Sequence, residues 1–128
     1  MKLHVPVRTY NLTNARTHWR VRSKRMREQR EAVTYVLLTA RWDELPKPTA
    51  DTPWSVLLTR VAPSNGLDDD GLVSSLKAVR DAIAAFVNVD DRRRDVVRYL
   101  YEQKRGETYA VEVEITPRQL ELKEAGNA

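Results

Sequence analysis

Leu72, Leu76, Val79, Ile83 and Phe86 recur at spacings of four, three, four and three, an apolar stripe that an α-helix lays along one face. The spacing predicts a helix over Leu72 to Val87, a rod of roughly 17 residues and about 25 Å. Directly before it stands Gly66-Leu67-Asp68-Asp69-Asp70-Gly71. Three adjacent carboxylates repel one another, and a fold gathers them where a cation or basic partner offsets the charge. In extended chain, residues two apart point the same way, so Asp68 and Asp70 can aim at one ion. Asp70 also suits a helix N-cap, where negative charge is favoured. An acidic cap and a metal site are both open readings of this turn.

The charge distribution weighs between them. A net charge of +4, from 22 basic and 18 acidic residues, hides a strong asymmetry. Between Asn14 and Arg30 lie Arg16, Arg20, Arg22, Lys24, Arg25, Arg27 and Arg30, with Glu28 the only acid, whereas Asp68 to Asp95 holds seven aspartates. A basic segment and an acidic centre in one chain of 128 residues suggest a polyanion held by one and acted on by the other. That length suits a single domain. The apolar runs are too short to span a membrane, and Met1 to Pro6 carries no secretion signature, so a cytoplasmic protein is expected. Without cysteine there are no disulfides, thiolate metal sites or thiol nucleophiles.

Taken in order, Leu3, Val5 and Val7 alternate with polar residues as a first strand, placed at a sheet edge by Pro6. Tyr10 to Arg22 reads as an ordered basic loop. From Ser23 as N-cap, Met26, Arg30 or Val33, Val36 or Leu37, and Ala40 recur at helical spacing, and the helix ends before Pro46 and Pro48. Trp54 to Val61 is apolar on both alternating sets, as a central strand is. Val96 to Gln103 and Thr108 to Thr116 read as two strands joined through Lys104-Arg105-Gly106-Glu107 in a hairpin. The order is β-α-β-α-β-β, an α+β domain over residues 1–116 with a mixed sheet covered by two helices. Residues 117–128 lack periodicity and read as a flexible C-terminal tail.

For chemistry, Asp68 and Asp70 precede the second helix and Asp90 and Asp91 follow it. One rigid rod cannot bring its two ends together, so Asp91 joins the first pair only if the helix ends early or the chain doubles back. Three converging carboxylates would then hold Mg²⁺ or Mn²⁺ beside a phosphodiester. Lys77 lies seven residues beyond Asp70 on nearly the same face, either reaching toward the aspartates or pairing with Asp81 at i,i+4. Arg92, Arg93 and Arg94, with the Arg16 to Arg30 cluster, are candidates for phosphate contacts, or simply a solvated charged face. His18 beside Trp19 either contacts DNA or packs on the following helix. Two histidines and no cysteine make zinc a poor fit.

The run Asp68-Asp69-Asp70-Gly71-Leu72, then Leu76 to Ile83 with Lys77 and Asp81, then Val89-Asp90-Asp91 and two closing strands, resembles the RusA-type Holliday junction resolvases. The resemblance is strongest from Gly66 to about Ile115. It implies a Mg²⁺-dependent homodimer that introduces paired symmetric nicks into four-way DNA junctions. The family's paired aspartates fall on Asp68 and Asp70, its later aspartate on Asp91 and its lysine on Lys77. Asp69 and Asp90 are further candidates for the metal. This chain departs from the family at Gly71, where asparagine is usual, and in a separation from Asp70 to Lys77 about one helical turn longer. The expected activity is metal-assisted phosphodiester hydrolysis by water, with Asp68, Asp70 and Asp91 as ligands and Lys77 as electrostatic or proton-transfer partner. The rivals are a DNA-binding recombination accessory protein on the same scaffold, and a regulator with a structural cation in the acidic turn.

Overall fold

Trp54 to Ala62 forms the second strand, and its buried residues on both alternating sets follow from its position inside the sheet. The computed structural model describes residues 1–11, 18–42 and 45–117. In chain order the elements are β1 (Lys2–Val5), α1 (Trp19–Thr39), β2 (Trp54–Ala62), α2 (Asp69–Ser75), α3 (Lys77–Val87), β3 (Val97–Arg105) and β4 (Ala110–Pro117). The four strands lie in the order β1-β4-β2-β3. β2 pairs parallel with β3 and antiparallel with β4, and β1 pairs antiparallel with β4 at one edge. This is the α+β class with a mixed sheet.

Alternation divides the sheet into two faces. Val5, Val56, Leu58, Val111, Val113 and Ile115 face the helices and join Val33, Leu37, Leu76, Val79 and Ile83 in one core. Burial of fifteen Val, Leu and Ile side chains at roughly 1.5–3 kcal/mol each, with Trp54 and four alanines, is the main term holding the layers together. Lys2, His4, Leu57, Glu102, Glu112 and Glu114 stand on the opposite face, around a shallow groove.

Three features differ from the sequence expectation. The second helix is two: Leu76, at φ −102° and ψ 7°, interrupts it between α2 and α3. The break takes a single residue, so the stripe survives, with Leu72, Leu76, Val79 and Ile83 all buried. Three helices therefore cover the sheet where two were expected. Second, α1 begins before Ser23, because His18 is the cap: its Nδ1 accepts the Arg20 N–H at 3.1 Å. Its buried stripe includes Gln29 ahead of Val33 and Leu37, while Arg30 is exposed.

Third, β3 and β4 are not a hairpin. β2 lies between them, and residues 106–109 arch over its end, where the Gly106 N–H donates to the Ala62 carbonyl at 3.1 Å. A Cβ on Gly106 would stand 2.5 Å from Val61 Cγ1, so glycine is what lets the arch pass this low. Two strand spacings are only about 10 Å, and four residues cross that gap as readily as they turn a hairpin. Pro117 belongs to β4, and residues 118–128 of the expected tail lie outside the described residues, as does Arg16.

Candidate functional site

The acidic turn is built from its cap outward. Asp68 is extended (φ −69°, ψ 174°) and its Oδ1 accepts the Gly71 N–H at 2.7 Å, which makes Asp68 the N-cap of α2 in place of Asp70. Asp69 and Asp70 occupy the first helical turn, where the helix dipole favours carboxylates. Extended geometry therefore stops at Asp68. From there the helix turns 100° per residue, fanning Asp69 and Asp70 around its axis instead of setting Asp70 parallel to Asp68. Gly71 is buried and has no room for a side chain: a Cβ would meet Asp68 Oδ1 at 2.7 Å and Asn11 Nδ2 at 3.0 Å. Glycine at this position thus fits a tight approach of Asn11 to the aspartate cap.

Gln103, on the helix-facing side of β3, fixes the turn to the sheet. Its Oε1 accepts the Leu67 N–H at 2.9 Å and its Nε2 donates to the Leu67 carbonyl at 2.7 Å. Two residues earlier on the same strand face, the Tyr101 hydroxyl accepts a hydrogen bond from Arg80 at 3.0 Å. The Arg80 Nε in turn lies 3.0 Å from Asp91 Oδ2. Arg80 is seven residues before the end of α3, so the chain after the helix turns back far enough for these two side chains to meet. The chain doubles back. The acidic turn and Asp91 are both tied to β3, through residues about 7 Å apart along it.

The electrostatics of this strip are those of a compensated cluster. Burial opposes the charge on Arg80, but the Tyr101 hydrogen bond and the carboxylates of Asp91 and Asp81 outweigh it and hold Arg80 above its usual value. Burial, then the charge of Asp91, push the Tyr99 phenol up, and its hydroxyl has no hydrogen-bond partner among the described residues. Lys77 pairs with Asp81 at 2.8 Å, the i,i+4 contact, worth a few tenths of a kcal/mol at this exposure. Asp90 takes a bidentate contact from Arg92, which holds its carboxyl well below the ordinary range, and Arg93 grips Asp95 in the same way.

Carboxylate oxygens are the hard donors that Mg²⁺ takes. Among the described residues, however, no three His, Cys, Asp or Glu side chains converge closely enough to hold a metal ion. Asp91 is engaged by Arg80, and Asp68 Oδ1 by the Gly71 amide. As placed, Asp68, Asp70 and Asp91 do not form a cage for the ion.

A second group of side chains, basic and aromatic, is gathered around Tyr10 and the start of α1. Arg25 of α1 stacks over the Tyr10 ring at 3.9 Å, and Arg8 lies 4.9 Å from Tyr10 and 4.3 Å from Tyr109. At the start of α1, Trp19 is 62% exposed, stacks on His18 at 5.8 Å and carries the Arg20 guanidinium 5.4 Å over its ring. Arg20, Lys24 and Arg27 are exposed along α1, and Arg22 is half-buried. Guanidinium planes stacked on aromatic rings are held in place while their edges stay available to acceptors.

The sequence reading did not single out Gln103, Arg80, Tyr101 or Arg60. Arg60 left a trace, as the single charged residue in the strand Trp54 to Ala62, at the helix-facing parity. The others left none, because each acts on a residue far from it in the chain or only across a fold. No protein-family model matches the chain. It is similar to a protein of Xylella fastidiosa described as uncharacterized, 33% identical over 81 residues that cover 62% of this chain and 52% of the relative. The chain spans about half the length of that relative, and the likeness assigns no activity.

Proposed function

We propose that the protein is a structure-selective endodeoxyribonuclease of the RusA type, acting as a homodimer on four-way junction DNA in recombination and repair in the cytoplasm. The observation that carries this reading is the return of Asp91 along α3, which ties it and the aspartate turn to the same face of β3. The stacked arginines of Arg8, Arg25 and Arg20 give their surface the character of a phosphate-backbone contact. Arg92, Arg93 and Arg94 follow α3, where Arg92 is held by Asp90 and Arg93 by Asp95, so a phosphate contact there competes with those carboxylates. Two-fold symmetry in a junction matches a C2 dimer. Among the described residues β3 has an unpaired edge, open to a second copy of the chain, while β4 is paired on both sides.

The roles carried by the resemblance are metal ligation by Asp68, Asp70 and Asp91 and electrostatic support by Lys77. The pairing of Asp91 with Arg80 and of Lys77 with Asp81 favours the second reading, a DNA-binding accessory protein with little catalysis. No helix among the described residues is long and apolar enough to cross a membrane.

One assay separates the two. The protein is incubated with a synthetic four-way junction or a matched linear duplex, with Mg²⁺, with Mn²⁺ and with chelator. Symmetric nicks in the junction that need a divalent ion and vanish in Asp70→Asn, with junction binding retained, support the nuclease. Tight junction binding without cleavage under either ion rejects it in favour of the accessory protein.

A further inference from the structure

At the C-terminal ends of the parallel pair β2 and β3, the segment Ser64 to Gly66 closes a cleft of about 280 Å³ over Arg60, Gln103 and Arg105. Arg60 is the unusual member. It is 7% exposed, it faces the helix layer, and its Nε has no hydrogen-bond partner among the described residues. A buried cation is ordinarily paired, because desolvation without a counter-charge costs several kcal/mol. Here burial lowers the pKa of Arg60, the Tyr109 phenol partly offsets that, and the neighbouring cation Arg8 lowers it further. Arg105 sits two residues beyond Gln103 on the same strand face and is exposed at the cleft mouth. Gln103 itself is committed to Leu67 on both amide atoms, so it fixes the cleft wall and leaves the cations to meet a ligand.

We propose that this cleft is a phosphate-binding subsite in which Arg60, with Arg105 at its mouth, receives one phosphate of a nucleic-acid backbone. The ligand then supplies the acceptor and negative charge that Arg60 lacks among the described residues, and a guanidinium presents the bidentate fork that phosphate oxygens match. At about 280 Å³ the cleft has room for a single phosphodiester group. Only the source of the phosphate rests on the nucleic-acid reading above. The site requires neither a metal nor cleavage.

The test uses the full chain and two probes. Inorganic phosphate is titrated at constant ionic strength against chloride while the melting temperature is followed. Binding of a short duplex is then measured across salt concentrations. Wild-type protein is expected to show a saturable rise with phosphate beyond chloride. Arg60→Met is expected to lose that rise yet melt at the same or a higher temperature without phosphate. Arg105→Met, an exposed change that leaves the core intact, is expected to weaken the response several-fold. In the duplex arm, Arg60→Met should flatten the salt slope by about one. A phosphate response with an unchanged slope overturns the backbone as the source and leaves free phosphate as the ligand. Absence of a wild-type response beyond chloride overturns the site, as does a response that Arg105→Met and Arg60→Met leave intact. Failure of junction cleavage alters none of these readouts, so the two proposals fail separately.

Discussion

Gln103 holds the backbone of Leu67 by both ends of its side-chain amide, at 2.9 and 2.7 Å across 36 residues of sequence. This pair converts a polar turn into a fixed element of the sheet and sets where α2 begins. Gly66 lies against the same amide, 3.1 Å from where its Cβ would stand. Gln103→Ala should remove both hydrogen bonds and lower stability by about 1–3 kcal/mol, read from urea denaturation. Amide exchange should rise at Leu67 and in the first turn of α2 with little change in β4. Uniform loss of protection across the sheet would contradict this local role.

Arg80 and Asp91 form the tie that returns the post-helix loop to α3. Each is less than a third exposed, at 21% and 30%, so their attraction is only partly screened. A double-mutant cycle on Arg80→Met and Asp91→Asn should give a coupling energy of about 0.5–3 kcal/mol. Additive losses would show the contact to be incidental.

Gly71→Asn introduces the residue usual in the resolvases that the sequence resembles, yet the geometry here argues against it. Its Cβ would press on Asp68 Oδ1 and Asn11 Nδ2, so the variant should lose about 1–3 kcal/mol by overpacking. Asp68→Ala, which removes only the cap, should cost about 1 kcal/mol. Thermal melts of the two variants rank the effects, and a Gly71→Asn protein as stable as wild type would refute the steric account.

Tyr99 links the cluster to alkaline stability. Its phenol is pushed above the ordinary 10.0 by burial first and by Asp91 second. The unfolded chain therefore releases this proton first as pH rises. The stabilisation is full below about pH 10 and is lost above it, by up to 1.36 kcal/mol per pH unit for one group. Tyr99→Phe should flatten that decline and, since the hydroxyl has no partner among the described residues, cost little or nothing at pH 7. Denaturation midpoints at pH 7 and between pH 9 and 11 test both halves.

The α+β class, the central strand β2, the edge strand β1 and the stripe through Leu72, Leu76, Val79 and Ile83 were legible because each is a local periodicity backed by burial. Cap choice was less so: His18 and Asp68 took positions that residue preference alone assigned to Ser23 and Asp70. Imidazole and carboxylate can both accept a backbone N–H, so the selection depended on where tertiary packing started each helix.

What the sequence determined by itself is therefore the inventory: an acidic turn, an amphipathic helix, a basic arm and alternating strands. Tertiary structure alone decided that β2 separates β3 from β4, because four residues with a glycine satisfy a hairpin and an arch equally well. It also decided the partners of the charges, setting Asp91 on Arg80 and Lys77 on Asp81, while the Nε of buried Arg60 has no hydrogen-bond partner among the described residues. Charge pairing depends on distances of a few ångströms between segments remote in sequence, and spacing along the chain carries no such information.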